Sequence, residues 1–157
     1  MWWFALKACH VLFATLYLGT GLGSAYYKLR AFASRDVHVI AFVDAEIVRA
    51  DYWFTVPSAV AMPASGFAMV YLVGMPLNTS WVLAGLGLYA VAGLCWLWAA
   101  RLQLKMRTLS AQALARGVSV LDNPEYLAAQ KVWTLLGAPA FLAAAATIYV
   151  MVAKPSF

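Results

Sequence analysis

Four apolar runs, at positions 3–29, 53–74, 81–104 and 132–152, divide the chain. Each reaches the roughly 20 residues that a helix needs to cross the hydrocarbon of a bilayer. In the first, no charge falls between Ala8 and Tyr27 at neutral pH unless His10 is protonated. From Ala31 to Tyr52 the pattern changes: Arg35, Asp36, Asp44, Glu46, Arg49 and Asp51 alternate with Val37, Ile40, Val43 and Ile47 at helical spacing. That is an amphipathic helix, with Ser34 or Asp36 placed to cap it. Nothing between Val37 and Thr55 breaks it, so it is expected to run on into the second span.

The second span carries Pro57 and Pro63. Pro63 cannot donate to the helical ladder and crowds the residue four back, which predicts a bend near Met62 and a space there facing the bundle interior. Met75-Pro76-Leu77-Asn78-Thr79-Ser80 reads as a short turn, with Pro76 stopping one helix and Thr79 or Ser80 capping the next. The third span continues through Arg101, Lys105 and Arg107 to Arg116, where Gly117 ends it. Asp122-Asn123-Pro124-Glu125 starts the last helix, with Pro at its first turn and acid at the positive end of the dipole. The fold class is all-α: one integral membrane four-helix bundle over residues 1–157, with cytoplasmic helical extensions.

Composition agrees with that reading. The chain is 65% hydrophobic and 11% charged, where soluble domains carry about a quarter charged residues. Its +5 charge does not mark a nucleic-acid partner, because the basic residues flank apolar spans and form no soluble aromatic-interleaved patch. Nine of them, Lys28, Arg30, Arg35, Arg49, Arg101, Lys105, Arg107, Arg116 and Lys131, lie on one side, and two, Lys7 and Lys154, on the other. The excess puts both long connections in the cytoplasm and both termini outside, in a bacterial cytoplasmic (inner) membrane. The first span lacks a basic segment ahead of it and is too long for a signal peptide, so it is expected to remain. Cys9 and Cys95 differ in depth by about 12 Å at a helical rise of about 1.5 Å per residue, too far for a disulfide. Gly19 and Gly23 have the spacing for close helix packing, and such small-residue faces suit a homodimer in the lipid bilayer.

Candidate chemistry is concentrated at Lys7 and His10, one helical turn apart on one face of the first span. Lys7 can reach the interface; His10 is held deeper, and an ionisable group there is a functional-site candidate. No P-loop, Gly-x-Gly-x-x-Gly, His-Glu-x-x-His or pair of intramembrane carboxylates is present, which argues against hydrolysis and phosphoryl transfer. From the residues alone, His10 is a haem ligand in an aromatic-rich bundle or a hydrogen-bonded, proton-relaying histidine. Depth counting puts Met69 and Tyr89 opposite it. Met69 would be the sixth haem ligand, five-coordinate iron on His10 being equally allowed, and Lys7 would face a propionate.

The phrases Lys7-Ala8-Cys9-His10-Val11-Leu12, Asp51-Tyr52-Trp53-Phe54-Thr55-Val56-Pro57, Trp98-Ala99-Ala100-Arg101-Leu102-Gln103-Leu104 and Lys154-Pro155 resemble an uncharacterised bacterial family of predicted four-span membrane proteins. More distantly, the Lys-x-x-His start, Tyr17 seven residues on and the four-helix layout resemble the membrane-bound, haem-containing protoporphyrinogen oxidases and the membrane domain of copper-resistance protein D. The oxidase resemblance implies haem b on the iron ligand His10, with Lys7 in support, and an oxidoreductase acting on a porphyrin-like or quinone-type partner. The chain departs from it at Tyr26, where an arginine is expected, and the Met and His clusters of a copper site are absent. The alternative function is a non-catalytic membrane subunit or a transport or metal-resistance accessory protein.

Overall fold

The computed structural model describes residues 2–155. Helix α1 (Trp2–Ser34) is followed by α2 (Val37–Ala50), a π-helical turn (Asp51–Thr55) and α3 (Val56–Leu72). Helix α4 (Ser80–Ala115), a 3-10 turn (Val120–Asp122) and α5 (Pro124–Ala153) complete the chain. Four continuous helical stretches, with Val37–Leu72 counted as one, are long and apolar enough to span a membrane. The all-α bundle and the run of the amphipathic helix into the second span are therefore as expected. Both cysteines are free thiols.

Local chemistry fixes the joints. Arg35 takes a left-handed backbone (φ 59) between α1 and α2, and the Asp36 carboxylate accepts from His38 N at 2.8 Å to open α2. Asn123 caps α5 by accepting from Glu125 N at 2.9 Å, with Pro124 in the first turn. Pro57 removes a donor and its ring presses on the preceding turn; the widened turn ahead of it, closed by Val56 N on Asp51 O, accommodates that ring without breaking the helix. One boundary differs from expectation. Helix α3 stops at Leu72, before Pro76, because Gly74 adopts φ +63 and Met75 N reaches back to Val70 O at 3.1 Å.

The buried apolar residues cluster away from mid-bundle, where Ala92 and Ala143 are buried outside the cluster. Ala31, Ile40, Met106, Ala113, Val120, Tyr126, Ala129 and Trp133 form it at the end where the helices extend past the apolar spans. Water is the solvent there and drives burial, whereas lipid offers no comparable drive between helices. The spans themselves expose large side chains such as Phe4, Leu94, Leu135 and Leu142, as lipid-facing surfaces do. Helices α4 and α5 pack together at Gly85, whose missing Cβ leaves room for the Met151 side chain. Gly19 and Gly23, which share a face of α1, meet nothing within 4 Å, so that close-packing face is open.

Candidate functional site

Along the second span, every buried residue from Asp51 to Leu72 is polar: Asp51, Thr55, Ser58 and Ser65. Adding buried Asp44 gives the positions 44, 51, 58 and 65, spaced by seven, which on a helix keeps them near one face. At about 1.5 Å per residue this edge is about 30 Å long, the thickness of a bilayer's hydrocarbon. Buried polar groups need partners, and those of Asp44, Asp51 and Ser65 lie in three layers.

At the extension end, Lys28 is 1% exposed and forms an ion pair with Asp44. Its Nζ also donates to the Tyr126 hydroxyl at 2.9 Å, which donates in turn to Asp44 Oδ2 at 3.1 Å. Helices α1, α2 and α5 are thus tied through one charge pair. One to two turns on, Asp51 accepts from Thr55 Oγ1 at 2.7 Å and from Trp96 Nε1 at 3.3 Å. The Gln103 amide, oriented by its neighbours, donates to Asp51 Oδ2 at 2.8 Å and accepts from Trp133 Nε1 at 3.2 Å. Asp51 forms no ion pair among the described residues. A carboxylate with neutral donors and no counter-charge, placed so dry, is a group that can hold or release a proton.

Between these layers on α5 lies Gln130, 5% exposed, one turn from Tyr126 and one from Trp133. Its amide nitrogen donates to Thr134 at 3.3 Å, while Oε1 has no protein partner. An acceptor buried without a partner is the usual position of an ordered water.

The far layer holds His10. Its Nδ1 lies 2.8 Å from Met62 O and 3.0 Å from Ser65 Oγ. A carbonyl only accepts, so Nδ1 carries the proton and Nε2 is a lone pair. Gly66 makes the approach possible: a Cβ there would stand 3.2 Å from His10 Cε1. Pro63 leaves Ala59 O without its helical donor, and the Tyr89 hydroxyl supplies one from α4. The expected space beside Met62 exists as a cavity of about 30 Å³ lined by Ala14, Tyr17, Leu18, Met62, Tyr89, Ala92, Ala144, Thr147 and Ile148. It has room for about one water. The Tyr17 and Tyr89 rings border it, 6.3 Å apart.

Of the residues singled out in the sequence, His10 sits on this edge, level with Ser65 and not Met69. The depth count took the second span to residue 74, and the earlier stop at Leu72 moves the opposing level toward Ser65. Met69, on α3, has no hydrogen bond to His10 among the described residues, and Tyr89 turns to Ala59 O. Lys7 is exposed on the outer turn of α1. No three His, Cys, Asp or Glu side chains converge among the described residues. Lys28, Asp44, Asp51, Gln103, Tyr126 and Trp133 were not anticipated as a site. The signal for the two acids was present, since Asp44 and Asp51 share a helical face with Ile40 and Ile47.

Four apolar helices with a buried, charge-bearing seam define a multi-span integral membrane protein. Residues 4–155 match the family described as "Predicted integral membrane protein (DUF2269)", and the chain belongs to that family. No curated protein and no solved structure matches it.

Proposed function

We propose that the protein relays protons across the bilayer along the polar edge of α2 and α3. The observation that carries this reading is that every buried side chain of the second span is polar, although burying apolar residues there would be cheaper. In the relay, His10 takes a proton on Nε2 and gives the Nδ1 proton to Ser65 Oγ, whose own hydroxyl proton moves to a water in the Tyr17–Tyr89 cavity and from there to Asp51, which becomes a carboxyl. Gln130 then connects Asp51 to the Lys28–Asp44–Tyr126 layer, from which the proton leaves. The charge asymmetry of the flanks supports an orientation with that last layer on the cytoplasmic side of a bacterial inner membrane. The unfilled face at Gly19 and Gly23 supports a homodimer. In vesicles loaded with a pH-sensitive dye, an imposed potential should drive acidification well above protein-free vesicles. Asp51→Asn keeps a hydrogen-bonding side chain but cannot carry the proton, and should return the rate to background. Equal rates for the two proteins would reduce the polar edge to a device for holding helices together.

Haem ligation by His10, with the oxidoreductase activity and electron partner it would imply, is the second reading. One feature favours it: Nδ1 bonded to a carbonyl leaves Nε2 free to ligate iron, as in metal-bound histidines. The interior does not fit the group, because the cavity beside the site is about 30 Å³ and small-molecule sites run to several hundred. A porphyrin would have to reach Nε2 from outside the bundle, with Lys7 on the same helix face as its cation and with Met69 or Tyr89 not needed. A Soret band in protein from haem-supplemented cells, lost in His10→Ala, would establish this reading; a colourless protein would remove it.

A further inference from the structure

On the outside of the bundle, away from the polar edge, α2 and α4 leave an open groove of about 380 Å³ lined by Ala45, Val48, Arg49, Tyr52 and Arg107. Its two cations come from different helices. Among the described residues Arg49 pairs only with Glu46, one turn away, and both side chains are well exposed, 64% and 39%. Such a pair is weak and readily exchanged. Arg107 is exposed and forms no ion pair among the described residues. Ala45 and Val48 give the groove an apolar floor. Tyr52, 67% exposed and packed edge-on against Trp53 at 5.4 Å, stands at its lower lip.

The level of the groove identifies its occupant. Below Tyr52 the surface turns to exposed Trp53, Phe54 and Val56, the aromatic and apolar belt that faces lipid. Above it are the charges of the helical extensions. An anion that fits here must present a phosphate at the depth of the two guanidinium groups and an apolar chain running down past Tyr52. Arginine is suited to the phosphate, because its planar fork donates two parallel hydrogen bonds. We infer that this groove binds the headgroup of an anionic phospholipid. Arg49 and Arg107 hold its phosphodiester, and Ala45, Val48 and Tyr52 receive its glycerol and first acyl carbons. The site would clamp α2 to α4 at the turn that carries Asp51, and it stands whether or not that carboxyl carries protons.

The test uses the full-length protein in phosphatidylcholine vesicles containing a small fraction of brominated phosphatidylglycerol, which quenches nearby tryptophan. Of the seven tryptophans Trp53 lies beside the site, and its signal is read as the difference between each protein and the same protein carrying Trp53→Phe. Wild type should select the brominated anionic lipid over brominated phosphatidylcholine, and the preference should fall roughly five-fold for each arginine removed in Arg49→Gln and Arg107→Gln. Arg107→Lys should keep part of it, and circular dichroism should be unchanged in all three. Equal quenching in wild type and the double variant would overturn the proposal. So would displacement of the quencher by millimolar glycerol phosphate, which would make the groove a site for a soluble phosphate.

Discussion

Asp44→Asn is the sharpest perturbation of the extension end, because it removes a charge while nearly preserving shape. Lys28 would then be a cation about as buried as before, 1% exposed, with the Tyr126 hydroxyl and an amide as its remaining company. Breaking a buried pair in this way costs about 3–5 kcal/mol, since the surviving charge is left uncompensated. Domains are stable by only about 5–15 kcal/mol, so about a fifth or more of the total is at stake. Removing both charges with Lys28→Met and Asp44→Leu should recover most of the loss. Tyr126 would lose its acceptor and so retain a deficit of about 1 kcal/mol. Unfolding in mixed micelles by titration with dodecyl sulfate, followed by tryptophan fluorescence, measures wild type and both variants. A loss below about 1 kcal/mol for Asp44→Asn, or a double variant as unstable as the single one, would refute the buried-pair argument.

Three further outcomes follow from the geometry. Pro63→Ala restores the donor to Ala59 O, so Tyr89→Phe, which should cost about 1 kcal/mol in wild type, should cost nearly nothing in that background; equal costs would contradict the assignment of Tyr89 to the orphaned carbonyl. Gly66→Ala puts a methyl 3.2 Å from His10 Cε1 and should lower proton flux without altering helical content, and unchanged flux would take His10 out of the path. Alkaline phosphatase fused at Asn78 should be active and at Val118 silent; the reverse pattern would invert the orientation.

The span count, the continuity of α2 into α3 and the Asn123 cap were legible because each depends on residues near one another in sequence. His10 was legible for the same reason: one histidine in a charge-free run stands out in a linear reading. The layers around Asp44 and Asp51 were not, because their partners Lys28, Gln103, Tyr126 and Trp133 come from three other helices. Lys28 in particular looked like one more flanking charge, and only the close packing of α1, α2 and α5 makes it a buried ion. The seven-residue spacing of Asp44, Asp51, Ser58 and Ser65 is visible in the chain, but Ser58 and Ser65 are small enough to pass as helix-packing residues until their burial is known. His10 bonds at Ser65, one turn from Met69, and the left-handed Gly74, which ends α3 two residues before the apolar run does, accounts for about half of that offset.

The central claim is that the buried edge carries protons, and the reversal potential of the current through purified protein in a planar bilayer tests it most directly. With a pH difference across the membrane and equal salt on both sides, the reversal potential should move by about 59 mV per pH unit, the one-charge value for a tenfold gradient, and should ignore exchange of potassium for sodium. A potential that follows the salt gradient instead, or no current beyond that of the bare bilayer, would contradict the account.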